Sequence, residues 1–169
     1  MTIGSWQLAS NSGREVARWD VQERHETSRG VALTCDVQLE GQYFGAALGG
    51  LSEMRDYRLL LRDLSVGTLE LGRLSSYLGE WLRLPLAEQV SHPLTFVCNV
   101  GELFDQSLTM TLGGRDDTLS DGKPVVTLGF IVGRLRGELV FVTDQKCLGL
   151  FCADIGAMLH RHADPTKAG

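Results

Sequence analysis

Residues 31–40, VALTCDVQLE, alternate apolar and polar side chains, and this pattern is the clearest indication of a β-sheet in the chain. Its apolar members are Val31, Leu33, Cys35, Val37 and Leu39. A period of two places successive side chains on opposite faces of a β-strand, so the pattern predicts a strand with one buried and one solvated face. Residues 41–50 follow at a glycine and are predicted to return antiparallel, and residues 56–64 form a third strand candidate.

The spacing of apolar residues changes in residues 68–85, TLELGRLSSYLGEWLRLP. Here the apolar positions recur every three or four residues, which predicts an amphipathic helix with one buried stripe. The stripe consists of Leu71, Leu74, Leu78, Trp81 and Leu82. Thr68 is suited to cap the start of this helix, and Pro85 follows its end.

Two further pairs of strands are predicted in the second half of the chain, where apolar runs are separated by turn-forming residues. They comprise residues 94–104 with 107–114, and residues 123–135 with 137–144. A last helix is predicted from about Gln145 to His160, with Asp144 as its N-cap.

The elements therefore follow the order strands, helix, strands, helix, which favours an antiparallel arrangement over parallel βαβ units. The predicted fold class is α+β, with an antiparallel β-sheet of about six to eight strands and two helices packed on one face. We expect one domain over residues 1–169. Within it, residues 1–29 are expected to be an irregular N-terminal segment with candidate edge strands, and residues 31–162 to form the core.

The composition is that of a globular protein, with 43% hydrophobic and 22% charged residues. The net charge of −5 argues against a nucleic-acid partner, which requires a basic face. The N-terminus has no signal-peptide pattern, and no apolar run reaches the length of a membrane helix. We therefore expect a cytoplasmic protein with no membrane partner and with reduced cysteines, at positions Cys35, Cys98, Cys147 and Cys152.

Residues 141–162 contain two cysteines, two aspartates and two histidines, the residue types of metal and nucleophile sites. Helical geometry separates them, because Cys147 and Cys152 point about 140° apart. The coherent feature is instead an apolar stripe of Leu148, Phe151, Cys152, Ile155 and Leu159. We predict no catalytic residue, metal site or cofactor. Cys147, near a helix start and beside Lys146, is the remaining candidate for a reactive thiol.

One segment stands out by its charge. Between residues 99 and 122 the chain has five acidic residues and one base, a net charge of −4 out of −5 for the whole chain. These residues are Glu102, Asp105, Arg115, Asp116, Asp117 and Asp121. The spacing of the aspartates does not match a calcium-binding loop. The segment is either a solvated loop or an acidic surface for a basic protein partner, and we take the six residues as the candidate partner-binding set.

The layout also resembles a known family. A leucine- and tryptophan-rich helix is followed by a β-meander, and the final strand ends in an acidic residue and glutamine before the last helix, here FVTDQ at residues 141–145. Over roughly residues 31–160 this is similar to immunity proteins that protect bacteria against wall-associated, contact-dependent polymorphic toxins. Members often read Asp-Gln-Thr-Tyr where this chain has Asp144, Gln145, Lys146 and Cys147.

The resemblance implies a protein that is not an enzyme and that binds a cognate toxin domain to block its active site. Two other hypotheses stay open from the residues themselves. One is a small-ligand-binding protein or thiol-dependent enzyme with a pocket between sheet and helices, using Cys147 and a distant histidine. The other is a structural domain that forms a homodimer through an N-terminal edge strand.

Overall fold

The computed structural model describes residues 2–28, 30–46, 52–113 and 123–162. These residues form eight strands and three helices. The strands are β1 (Gly4–Ala9), β2 (Val16–Thr27), β3 (Gly30–Ala46), β4 (Ser52–Gly67), β5 (Phe96–Leu103), β6 (Gln106–Leu112), β7 (Val125–Val132) and β8 (Leu135–Val142). The helices are α1 (Thr68–Arg83), α2 (Leu86–Ser91) and α3 (Gln145–His162).

The eight strands form one antiparallel sheet in which the spatial order follows the chain order from β1 to β8. The sheet also curls back on itself, because β3 pairs with β8 at Phe44 and Glu138. In the described part of the chain β4 and β5 are paired only at Ser65 and Glu102. The sheet therefore has a weak seam between β4 and β5, next to the point where α1 begins.

The predicted α+β class is confirmed, and the number of helices is corrected from two to three. The predicted turn at residue 41 is wrong, since β3 runs on through Gly41 to Ala46 and β4 begins at Ser52. Gly41 does not form a turn, and its lack of a side chain allows two other residues to approach the β3 backbone closely. A Cβ atom at this position would meet side-chain atoms of Glu15 and Leu139, each at 3.0 Å.

The N-terminal segment, expected to be irregular, forms the regular strands β1 and β2. β1 lies at the end of the strand order, as an edge strand does, whereas β2 lies between β1 and β3. Both strands contribute buried residues to the core, namely Trp6, Leu8, Ala17, Trp19 and Val21. The indole of Trp19 packs against Phe151 of α3 with ring centroids 5.8 Å apart, and its Nε1 donates to the Val100 carbonyl at 3.2 Å.

Helix α1 buries the predicted stripe through Leu71, Leu74, Leu78 and Trp81. The predicted cap is wrong: Gly67 occupies the N-cap position, and the Thr68 hydroxyl donates to the Val31 carbonyl at 3.1 Å. The short helix α2 was not predicted from the sequence. It buries Gln89, whose amide donates to the carbonyls of Trp81 and Leu84 at 3.2 and 3.1 Å and so supports the end of α1.

Helix α3 begins as predicted, because the Asp144 carboxylate accepts a 2.7 Å hydrogen bond from the Cys147 backbone N–H. Its buried residues are Leu148, Phe151, Ile155 and Met158. Cys152 and Leu159, predicted for this stripe, are only half-buried. Cys152 faces α1, where its thiol donates to the Ser75 carbonyl at 3.1 Å. Within the described residues, none of the helices combines the length and apolar character needed to cross a bilayer.

Candidate functional site

The hairpin of β5 and β6 ends in a two-residue turn with an unusual first residue. Leu103 pairs with Gln106, which leaves Phe104 and Asp105 as the turn. The backbone of Phe104 has φ +48°, in the left-handed region, and its side chain is 102% exposed. A bulky residue with positive φ is an outlier in proteins, because its Cβ crowds the backbone.

The neighbouring hairpin of β7 and β8 shows which residue this geometry prefers. Val132 pairs with Leu135, so Gly133 and Arg134 form the equivalent turn. Gly133 has φ +59° at the position that Phe104 occupies in the first turn. Glycine adopts positive φ without a steric penalty, and two-residue hairpin turns favour it for that reason. Phe104 therefore occupies a turn position at which the positive φ favours glycine.

The two turns lie side by side. The Gly133 backbone N–H donates to the Asp105 carbonyl at 3.0 Å, which joins them. We call the surface formed by Phe104, Asp105, Arg134 and Leu135 the hairpin tip. Asp105 and Arg134 are exposed, and Leu135 is 38% exposed. The hairpin tip therefore presents an aromatic and an aliphatic side chain between charged groups, on a backbone held by a hydrogen bond.

The structure describes two of the six predicted partner-binding residues. Asp105 belongs to the hairpin tip, and Glu102 lies near the end of β5, where its carboxylate accepts a 2.9 Å hydrogen bond from Asn99. Arg115, Asp116, Asp117 and Asp121 lie outside the described residues. Gly113, which precedes that segment, follows β6 at the end of the strand opposite the turn.

A cleft of about 510 Å³ opens at the seam between β4 and β5. Its lining includes Ser65, Glu70, Arg73, Cys98, Asn99 and Glu102. Cys98 is almost fully buried. Burial, helped by the nearby Glu70 carboxylate and opposed by the Arg73 guanidinium, raises the pKa of its thiol to about 12. Cys98 is accordingly a protonated thiol at neutral pH and a poor nucleophile.

Cys35 and Cys147 are each held within the fold, Cys35 by burial and Cys147 by contacts with the backbone of β1. Burial, together with Asp36 and Asp20, raises the pKa of the Cys35 thiol to about 12. Cys147, the predicted candidate for a reactive thiol, lies at the junction of α3 with β1. Its sulfur is 3.4 Å from the Ala9 backbone nitrogen and 3.5 Å from the Ala9 carbonyl oxygen. The contacts of Cys147 attach the first turn of α3 to the edge strand.

Two histidines form hydrogen bonds with neighbouring hydroxyl groups. The ring Nδ1 of His25 is 3.0 Å from the Thr34 hydroxyl on β3, and that of His92 is 3.1 Å from the hydroxyl of Ser91. In the stretches of chain that the structure describes, no group of three His, Cys, Asp or Glu side chains is placed to hold a metal ion.

Comparison of the sequence with models of known protein families, and with curated proteins, gave no match in either case. The sequence does not indicate a turn at Phe104, because phenylalanine is not a turn former and the apolar pattern predicts one strand over residues 94–104. The turn at residues 104 and 105 follows from the register between β5 and β6, which the sequence pattern does not indicate.

Proposed function

We propose that this chain is a non-enzymatic immunity protein that binds a bacterial toxin domain, and that the hairpin tip is part of its binding surface. The observation that carries the proposal is the complete exposure of Phe104 in a left-handed backbone conformation. The class of partner comes from the resemblance of the chain's layout to immunity proteins.

The energetics of Phe104 support a role in binding. A non-glycine residue held in the left-handed region costs about 1–3 kcal/mol, and its exposed ring recovers nothing by packing within the chain. Burying a phenylalanine side chain against a partner yields about 1.5–3 kcal/mol. The local cost is therefore offset when a partner covers the ring. Aromatic residues are enriched at the centres of protein interfaces, where their large apolar side chains are buried.

The preorganised turn also favours binding. The hydrogen bond from Gly133 to Asp105 fixes the backbone on which Phe104 is displayed, so little conformational freedom is lost when a partner docks. Asp105 is adjacent to Phe104 in the turn, and Glu102 lies two residues before it. These carboxylates favour a partner with a basic surface and would speed its association at low salt.

The test is co-expression with the product of the adjacent gene. We expect that product to inhibit growth when produced alone, and this chain to restore growth by forming a stable one-to-one complex with it. Phe104→Gly should weaken the rescue. Leu150→Ala is the matched control, because Leu150 is a 58% exposed aliphatic residue on α3, outside the hairpin tip. A harmless neighbour that does not bind this chain would contradict the proposal.

A further inference from the structure

We propose that the binding surface continues from the hairpin tip along the open edge of β4, and that the protein partner contributes an extended strand that pairs with this edge. The inference rests on the proposed function and adds the conformation and the charge of the segment that is recognised. We call residues 58–62 the β4 edge. In the described part of the chain, the side of β4 that faces β5 is paired only at Ser65 with Glu102.

The β4 edge is open because β5 turns back before reaching it. Strand β5 runs antiparallel to β4 and ends one residue before Phe104, where the chain reverses at the hairpin tip. Counted along both strands from the pair of Ser65 with Glu102, Phe104 comes level with Asp63. The β4 edge therefore continues past the tip, while on its other side it is paired with β3. A strand of the partner would lie in line with β5, with its end next to Phe104.

The backbone of the β4 edge is suited to receive such a strand. A strand directs the N–H and C=O groups of alternate residues to its two sides, so pairing with β3 uses only half of these groups. The other half form a template for another strand, and partners that bind in this way gain main-chain hydrogen bonds. Leu61 is buried and Leu59 is half-buried, so the core holds this segment in the extended conformation that pairing requires.

The strand at the end of the sheet, β1, is less suited to this kind of pairing. It has six residues, and the backbone groups of its last residue, Ala9, already have contacts. The Ala9 carbonyl accepts a 2.9 Å hydrogen bond from the Thr143 hydroxyl, and the Ala9 nitrogen lies 3.4 Å from the sulfur of Cys147. Less of β1 is therefore open to a partner than of β4.

Backbone strain is concentrated where the β4 edge meets the hairpin tip. Asp63, with φ +58°, and Phe104, with φ +48°, are the two non-glycine residues with positive φ in the part of the chain that the structure describes. Asp63 belongs to a bulge in which Arg62 and Asp63 oppose Asp36 of β3, and the Asp36 carboxylate accepts a 3.0 Å hydrogen bond from the Asp63 N–H. Residues held in such conformations cluster at binding sites, and these two lie level with each other across one seam.

The charges of the β4 edge favour an acidic strand over a second copy of this chain. Arg58, Leu60 and Arg62 are exposed and alternate along the strand. Antiparallel self-pairing centred on Leu60 would place Arg58 of each copy opposite Arg62 of the other, and like charges directly opposite destabilise a strand pair. A strand with a carboxylate opposite each arginine and an apolar side chain opposite Leu60 would form favourable pairs instead. Glu40 lies 3.7 Å from Arg58, whose side chain is nevertheless 86% exposed and accessible.

Hydrogen exchange of the chain in complex with the product of the adjacent gene tests the pairing itself. Those amides of the β4 edge that face away from β3 should exchange at least about tenfold more slowly in the complex than in the free chain, because they gain main-chain partners. The amides that face β3 should be protected in both states and serve as the internal control. Amides of β1 should exchange equally in the two states.

Charge-neutralised variants test the acidic character of the strand. Arg58→Gln with Arg62→Gln should raise the dissociation constant of the complex about threefold to tenfold and reduce its salt dependence. Arg18→Gln is the matched control, because Arg18 is an exposed arginine of β2 that lies 3.1 Å from a carboxylate, that of Asp20. It should change the dissociation constant less than twofold. Thermal unfolding of each variant verifies that it is folded.

The outcomes separate this inference from the proposed function. A stable complex that Phe104→Gly weakens, but in which no amide of the β4 edge gains protection, overturns the inference and leaves the proposed function standing. A double arginine variant that binds as tightly as the wild type overturns the acidic strand. Protection of the β4 edge in the free chain that is lost on dilution would show that a second copy occupies the edge, and it also overturns the inference. A chain that forms no complex overturns both proposals.

Discussion

The backbone N–H of Gly133 donates a 3.0 Å hydrogen bond to the carbonyl oxygen of Asp105, and this bond ties the turn of one hairpin to the turn of the next. Both turns place a residue with positive φ first, Gly133 in one and Phe104 in the other. The two turns can therefore be compared within one molecule. Gly133 is the residue type that a positive φ favours, and Phe104 is not. The side chain of Phe104 is nevertheless fully exposed to solvent.

Phe104→Gly should stabilise the isolated chain. The substitution removes the steric cost of a side chain at φ +48° and loses no packing, since the ring is fully exposed. The larger entropy of glycine in the unfolded chain offsets part of this effect. We therefore expect the free energy of unfolding to rise by about 0.5–1 kcal/mol. Urea unfolding measures it. A variant clearly less stable than the wild type would show that the ring supports the fold, and would remove the argument for a binding role.

Gly133→Ala should destabilise the chain by about 1–2 kcal/mol through backbone strain alone. The backbone at Gly133 has φ +59°, whereas an added Cβ would have its nearest neighbour, an Asp105 carboxylate oxygen, at 3.8 Å. Gly72→Ala is the matched control in the opposite direction. Gly72 lies in α1 with nothing within 4 Å of an added Cβ, so alanine there should add about 1 kcal/mol of stability. Equal unfolding midpoints for the two variants would contradict the assigned turn geometry.

Stability should fall as the pH rises above 9, because two thiols titrate differently in the folded and unfolded chains. Burial raises the pKa of Cys35 and of Cys98 from 9.0 to about 12. Below pH 9 both thiols are protonated in both states and the full stability is present. Between pH 9 and 12 the unfolded chain releases these protons first, so unfolding becomes more favourable.

The check is urea unfolding at several pH values between about 8 and 10.5. Cys98→Ala should be less stable than the wild type at every pH but should lose less stability with rising pH, since one shifted thiol is gone. Lysines and tyrosines also titrate in this range, and the comparison between variants cancels their share. Identical pH slopes for variant and wild type would contradict the burial of Cys98.

The two longer helices, α1 and α3, were predictable because they depend on short-range patterns, whereas the short helix α2 was not. The spacing of Leu71, Leu74 and Leu78 alone locates α1, and the cap of Asp144 locates the start of α3. The path of β3 through Gly41 was not predictable, because the glycine is required by side chains of Glu15 and Leu139 that lie far away in sequence. The burial of residues from β1 and β2 likewise depends on contacts with α3 that are distant in sequence, such as that of Trp19 with Phe151.

The candidate site was predictable only in part. Glu102 and Asp105 were identified by their charge, yet the reason for their position, beside Phe104 and the cleft, lies in the strand register. Glu70 and Glu102 come from α1 and β5 and line one cleft only because β4 ends at Gly67. A sequence pattern with a period of two or of 3.6 residues carries no information about such a seam.

The affinity of the Phe104→Gly variant for the product of the adjacent gene, which we propose to be a toxin, decides whether the hairpin tip is a binding surface. Titration calorimetry would compare it with the wild type and with Leu150→Ala, after urea unfolding has shown that all three are folded. We predict that Phe104→Gly binds at least about tenfold more weakly although it is no less stable, while Leu150→Ala binds like the wild type. A Phe104→Gly variant that binds the toxin with unchanged affinity would contradict this prediction.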